Sequence, residues 1–217
     1  MGTCVRRVVV AACAVACMLI WAAAPGSAVT TYYCDFENGL GHNAEAVGSS
    51  VLGLLFTTQS GGDLYFADIN SGWYSVTSDD GPPPTQYEDG EYFVKGNVAA
   101  YVTDLADNAK ISFAVGLGSK FTVGYSSQFE FFLKAYDSSG TLLDSITGAG
   151  NTRSHDGTGL SYLTLERPSY DIAYVEAGSE NAGGYWMIDD ISWVPEPGSI
   201  VALALGLAGF VILRRKR

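Results

Sequence analysis

The chain has 217 residues, with 12 basic and 23 acidic side chains, a formal charge of -11, 16% charged residues and 47% hydrophobic ones. That balance excludes an acidic disordered chain, and cations so few and scattered cannot form the basic stripe that a nucleic-acid backbone requires. The 26 glycines, 13 tyrosines and 10 phenylalanines favour strands and tight turns over helices, and the length holds one ordinary domain with short appendages.

At the N-terminus, Arg6 and Arg7 precede an apolar run from Val8 to Ala24, and Pro25-Gly26-Ser27-Ala28 closes it with small residues. This is the three-part layout of a secretory signal, with cleavage by signal peptidase expected between Ala28 and Val29. Val10-Ala11-Ala12-Cys13 also has a lipobox-like order, but it leaves almost no apolar core after the arginines. Removing residues 1–28 removes Cys4, Cys13 and Cys17, so Cys34 has no intrachain partner for a disulfide. It reads as a small buried apolar residue on the first strand, with a catalytic or intermolecular thiol as the alternative.

From residue 29 to 194, short runs bounded by Gly, Asn, Asp or Ser read as strands. In order they are Thr30 to Phe36, Val51 to Thr57, Asp63 to Ile69, Trp73 to Thr77, Glu91 to Lys95, Val98 to Thr103 and Lys110 to Leu117. Lys120 to Tyr125, Gln128 to Tyr136, Thr141 to Thr147, Ser161 to Glu166, Tyr170 to Glu176 and Tyr185 to Trp193 follow. The clearest pattern alternates Phe129, Phe131, Leu133 and Ala135 against polar residues, turns at Asp137-Ser138-Ser139-Gly140 and returns through Leu142 and Leu143, which predicts a hairpin. No segment sustains a helical period, and the spacing is that of an all-β sandwich. This body carries 22 acids against six bases (Lys95, Lys110, Lys120, Lys134, Arg153 and Arg167). Such an excess suits solubility and cation binding and opposes docking on anionic lipid.

The chain ends with Val194-Pro195-Glu196-Pro197-Gly198-Ser199, an uncharged stretch from Ile200 to Leu213, and Arg214-Arg215-Lys216-Arg217. As a helix, the uncharged stretch reaches only about 21 Å at about 1.5 Å per residue, against about 30 Å of hydrocarbon. Its context decides the reading: a helix breaker before it and four cations after it make a stop-transfer anchor. The positive-inside rule places the basic end in the cytoplasm and the body outside.

A terminal Val-Pro-Glu-Pro motif, a short apolar helix and an Arg-rich end together resemble the PEP-CTERM sorting signal. The resemblance implies that an exosortase-like membrane enzyme of a Gram-negative bacterium reads Val194, Pro195, Glu196 and Pro197 as a recognition motif. It also implies an inner-membrane anchor that gives way to the cell surface or an exopolysaccharide matrix. A second resemblance lies in Phe36-Glu37-Asn38-Gly39 and Ile188-Asp189-Asp190-Ile191, which bracket the body as in carbohydrate-binding-module and galactose-binding-like jelly rolls. It implies that the first and last strands pair and that a structural calcium sits beside them. On a regular strand Asp189 shares a face with Tyr185, Met187, Ile191 and Trp193, so its carboxylate meets apolar company and needs a cation or several donors. Calcium on Glu37, Asp189 and Asp190 would supply the cation; backbone or tyrosine hydrogen bonds are the alternative.

Catalytic signatures are sparse. His42 and His155 stand in no metal-binding spacing, and no nucleophile elbow or phosphate loop occurs. Aromatic residues near turns, above all Trp73, Tyr74 and Tyr92, are candidates for stacking against sugar rings. The expectation is a jelly-roll-like, non-enzymatic, exported envelope or matrix protein that binds polysaccharide. An exported polysaccharide hydrolase, with two carboxylates facing across a groove, and a purely structural matrix protein are the alternatives.

Overall fold

The computed structural model describes residues 29–37, 43–51, 53–68, 76–78, 91–102, 107–114, 116–179, 181 and 184–197. The segment 1–28, expected to be a secretory signal, the apolar stretch 200–213 and the basic end from Arg214 to Arg217 lie outside them. The chain divides into Met1–Thr30 and Thr31–Arg217, and every described strand lies in the second unit.

Two antiparallel sheets make the sandwich. Sheet A has the order β11 (Ser161–Glu166), β8 (Gly118–Ser127), β13 (Trp186–Pro195), β6 (Val98–Tyr101), β3 (Tyr65–Asp68), with β1 (Tyr32–Cys34) also paired to β13. Sheet B has the order β10 (Leu142–Gly148), β9 (Phe131–Tyr136), β12 (Tyr174–Ser179), β7 (Ala109–Phe113), β2 (Leu54–Thr58). The two orders run in parallel, each strand of one holding the rank of its chain neighbour in the other, which is jelly-roll winding. A small parallel pair, β4 (Val76–Ser78) and β5 (Tyr92–Val94), completes the described strands.

The period-two pattern makes the core. Phe121, Val123 and Tyr125 of β8, Phe131, Leu133 and Ala135 of β9, Ala109, Ile111 and Phe113 of β7 and Leu54 and Phe56 of β2 all turn inward and are buried. Burying one such large side chain contributes about 1.5–3 kcal/mol. Ring geometry adds to area: Phe131 stacks on Tyr125 at 4.6 Å and meets Trp186 edge-on at 5.7 Å. Phe36, just past β1, sits at φ 57° yet is only 1% exposed, between Phe56 and Phe66 with both centroids 6.0 Å away. Burial of that ring holds the backbone in a conformation that a β-carbon disfavours.

The predicted hairpin forms, with Tyr136 paired to Leu142 and Phe131 to Gly148. Phe129 departs from the pattern: it precedes β9 and is 40% exposed. Cys34 is buried in the core, and burial pushes its thiol up to about 11.

Sheet A also has a covered outer face. Ala67, Ala99 and Met187 alternate with the core residues Phe66, Ala100 and Ile188, and pack with Tyr92 and Val94 of β5. The segment β5 therefore roofs part of sheet A and brings the turn after it, Lys95 to Asn97, onto β13.

Candidate functional site

The middle of β13 is irregular. On one edge it pairs with β8 along its length; on the other it meets β6 at Met187 and Ile188, then β1 from Ile191 to Trp193. Between those two partners the register against β8 shifts, from Asp189 opposite Gly124 to Ser192 opposite Thr122, and Asp190 has φ 51°. This is a β-bulge, and its extra residue reverses the parity of everything after it. Trp186 and Ile188 before it, and Ile191 and Trp193 after it, therefore all face the core. The regular-strand expectation that Asp189 shares a face with Ile191 and Trp193 is corrected accordingly: Asp189 keeps the parity of Met187, on the outer side of sheet A.

The first and last strands pair as the jelly-roll resemblance implied, Tyr32 against Trp193 and Cys34 against Ile191. That pairing brings Glu37 and Asp189 to one place, the turn after β5. The Lys95 N–H donates to Asp189 Oδ2 at 2.8 Å, and the Asp190 N–H donates to Asp189 Oδ1 at 2.7 Å. Glu37 Oε1 accepts from the N–H groups of Asn97 at 2.5 Å and Val98 at 2.6 Å, and its Oε2 accepts from Asn97 Nδ2 at 3.3 Å. Between them lies Gly96 at φ 75°, where a β-carbon would stand 2.6 Å from the Glu37 carboxyl carbon. Two acids from opposite ends of the body thus clasp one turn.

The two halves of the clasp differ in burial: the Glu37 bonds to Asn97 are exposed, whereas Asp189 is enclosed. Asp189 is 0% exposed, and burial raises its carboxyl well above the usual range, with Asp190 and Glu37 adding to the rise. Its two N–H bonds favour the ionised form but do not offset that desolvation. Asp190 Oδ2 accepts from the Tyr162 hydroxyl and lies 3.7 Å from Lys95 Nζ. Asp190 Oδ1 is buried without a hydrogen-bond partner. Burial raises the Tyr33 phenol well above its ordinary value, and its hydrogen bond to Asp190 raises it further. Among the described residues, no three His, Cys, Asp or Glu side chains form a metal-ligand cluster.

Of the predicted stacking residues, Trp73 and Tyr74 lie outside the described residues. Tyr92 is only 8% exposed, beneath the β5 roof, with its phenol raised by burial. Exposed aromatic rings occur elsewhere, at Tyr33, Tyr162, Tyr185 and Phe129. Tyr33 and Tyr162 alternate with the core residues Cys34 and Leu163, and alternation marks them as outward-facing without ranking them as a surface.

The sorting residues continue straight from this strand. Val194 and Pro195 are the last residues of β13, opposite Lys120 and Gly118, and the Glu196 N–H donates to the Leu117 carbonyl at 2.7 Å. Val194 is buried, whereas Glu196 and Pro197 are exposed. No helix among the described residues is long and apolar enough to cross a membrane.

Comparison with solved structures finds similar β-rich domains at low identity. The K2 cleaved adhesin domain of Lys-gingipain aligns with TM-score 0.49 and 12% identity, over 76% of this chain and 99% of that one. The C-terminal family 22 carbohydrate-binding module of Clostridium thermocellum Xyn10B aligns with TM-score 0.38 and 17% identity, over 79% and 98%. TmCBM61, solved with β-1,4-galactotriose, aligns with TM-score 0.36 and 12% identity, over 72% and 100%. Comparison with curated proteins finds no match. The family comparison matches residues 194–217. That match implies export and recognition by an exosortase, a membrane enzyme, and residues 194–217 carry the PEP-CTERM protein-sorting motif behind an all-β sandwich.

Proposed function

We propose that this protein is an exported, non-enzymatic envelope or matrix protein whose sandwich binds polysaccharide and whose tail an exosortase-like enzyme processes at the inner membrane. The observation that carries the reading is the sorting motif, which opens on the last two residues of β13. Glu196 and Pro197 are exposed, and a single backbone bond, from the Glu196 N–H to the Leu117 carbonyl, is what an enzyme gripping them would have to release. The non-enzymatic part is supported by the commitments of the built carboxylates. Glu37 and Asp189 bind backbone N–H groups, and Asp190 binds a phenol, so none is presented across a groove as a free acid or base.

A bound calcium belongs to the same proposal. Asp189 is desolvated among other acids, and Asp190 Oδ1 is a buried orphan, a combination that a hard cation with oxygen ligands relieves. Glu37, Asp189 and Asp190 do not form a ready-made cluster and would have to converge from their separate hydrogen bonds to hold it, and the ion would then tie the turn after β5 to the last strand.

Replacement of Glu196 by Ala should leave export intact and cause the unprocessed precursor to accumulate, read by fractionation and mass spectrometry of the C-terminus in the native host. Wild-type protein that always retains residues 198–217 would eliminate processing and leave simple anchoring.

A further inference from the structure

The outer face of sheet A beyond the β5 roof is built around Asp190. Tyr162 is on β11, paired with Gly124 of β8, which in turn pairs with Asp189 of β13. Its hydroxyl nevertheless reaches Asp190, two strands away, a span of about 10 Å at about 4.8 Å per strand. A ring standing upright on the sheet cannot do that, so the Tyr162 side chain lies along the surface. Gly124 lets Leu160 pack down onto the sheet beneath this path: a β-carbon there would stand 2.4 Å from Leu160 Cδ2 and 2.9 Å from the Asp189 carbonyl oxygen. From the opposite side, Tyr33 of β1 turns its phenol to the same carboxylate. The two residues are 54% (Tyr33) and 48% (Tyr162) exposed, and with the Tyr162 hydroxyl on Asp190 and the Tyr33 phenol drawn to the same carboxylate, ring is a large part of what they offer solvent.

The surroundings are polar and locally balanced. One row across the sheet runs Tyr33, Ser192, Thr122, Thr164, with the two threonine hydroxyls 2.9 Å apart. The next row ends in the ion pair of Lys120 and Glu166 at 2.8 Å. Asp190 itself has features that need explaining: an αL backbone on a residue with a β-carbon, 8% exposure and an unpartnered buried oxygen. All three coincide with the point where the two tyrosines are tethered.

We propose that this face is a preorganised glycan platform, in which Tyr33 and Tyr162, tethered through their hydroxyls to Asp190, present ring faces to a neutral polysaccharide chain. The inference rests on the polysaccharide-binding reading above and gives it a site. Flat aromatic rings accept the C–H faces of pyranoses, and the Ser192, Thr122 and Thr164 hydroxyls and the neutral Lys120–Glu166 pair exchange hydrogen bonds with sugar hydroxyls. A body with 22 acids against six bases repels a polyuronide, which favours an uncharged chain. Tethering is the role of Asp190, a positioning residue: rings already fixed lose less side-chain freedom on binding.

The test is affinity electrophoresis of the full-length chain in detergent through gels containing hydroxyethyl cellulose, galactomannan, laminarin or alginate. Wild-type protein should be retarded by at least one of the three neutral polymers more than by alginate. Tyr33→Ala and Tyr162→Ala should each weaken that retardation about tenfold in protein that still unfolds cooperatively. Tyr33→Phe and Tyr162→Phe keep the ring and lose the tether, so they should fall between wild type and the alanine variants. Retardation by a neutral polymer that all four variants retain overturns the platform while polysaccharide binding stands. Stronger retardation by alginate overturns the neutral class. Retardation by none of the polymers overturns the binding reading, and the platform with it.

Discussion

Asp189 shows how one residue's environment sets a measurable pH response. Its carboxyl is raised by burial, with Asp190 and Glu37 as anionic neighbours and Lys95 as the nearby cation. A group whose folded value is raised binds its proton more tightly in the folded state. Its contribution to stability is complete below the unfolded value of about 3.9 and is lost as pH rises through the folded one. In the presence of chelator, the melting temperature of the full chain relative to Asp189→Asn should therefore decline as pH rises from 4 towards 8. Taking the difference cancels carboxylates that slope the other way, such as Asp171, held low by Arg167. The asparagine variant should also be less stable at low pH, by about 1–3 kcal/mol, because its amide N–H₂ must face one of the two N–H donors now on Asp189. Parallel pH profiles for the two proteins would mean that Asp189 does not titrate in that range.

At the scale of elements, strand β13 couples folding to sorting, since it is the inner strand that β8, β6 and β1 all pair with and its last residues open the sorting motif. The motif should therefore divide under mutation. Val194→Ala removes two buried carbons and should cost about 1.5 kcal/mol, at about 0.8 kcal/mol per carbon, whereas Glu196→Ala should leave the unfolding midpoint unchanged. Chemical denaturation of both variants checks this; equal destabilisation would mean that Glu196 is part of the packed fold. The strands themselves were legible because their signal is local: the alternation of Phe131, Leu133 and Ala135 and the Asp137–Gly140 turn specify the β9–β10 hairpin without help from elsewhere. The pairing of β1 with β13 was legible only through resemblance, since nothing local joins Cys34 to Ile191. The bulge at Asp190 was not legible at all. One extra residue leaves composition and alternation nearly intact, yet it decides which side of the sheet Asp189 occupies, and its cause lies in the tertiary gap between β6 and β1. For the same reason Tyr92 read as surface: the β5 roof over Ala67, Ala99 and Met187 is a long-range contact.

The whole molecule carries its acid excess into one fold, and two kinds of cation effect follow that can be separated. Diffuse screening relieves the repulsion among 22 acids and six bases at any ionic strength, whichever salt supplies it. A cation held by Glu37, Asp189 and Asp190 acts differently, because those groups meet only when β1 has paired with β13 and the turn after β5 has docked. Such an ion binds the folded chain and not the unfolded one, and so adds RT ln(1 + [L]/Kd), about 2.7 kcal/mol at a hundredfold excess over Kd. For a domain of this size, at about 2–4 °C per kcal/mol, removing it should lower the melting temperature by roughly 5–10 °C. The comparison is made at constant ionic strength, calcium chloride against sodium chloride with chelator, so that screening is the same in both arms. Asp189→Asn should abolish the difference while Glu166→Gln, on the open surface of β11, should retain it. Superimposable melting curves for wild-type protein in the two salts would show that the clasp of Glu37 and Asp189 holds by its backbone hydrogen bonds alone.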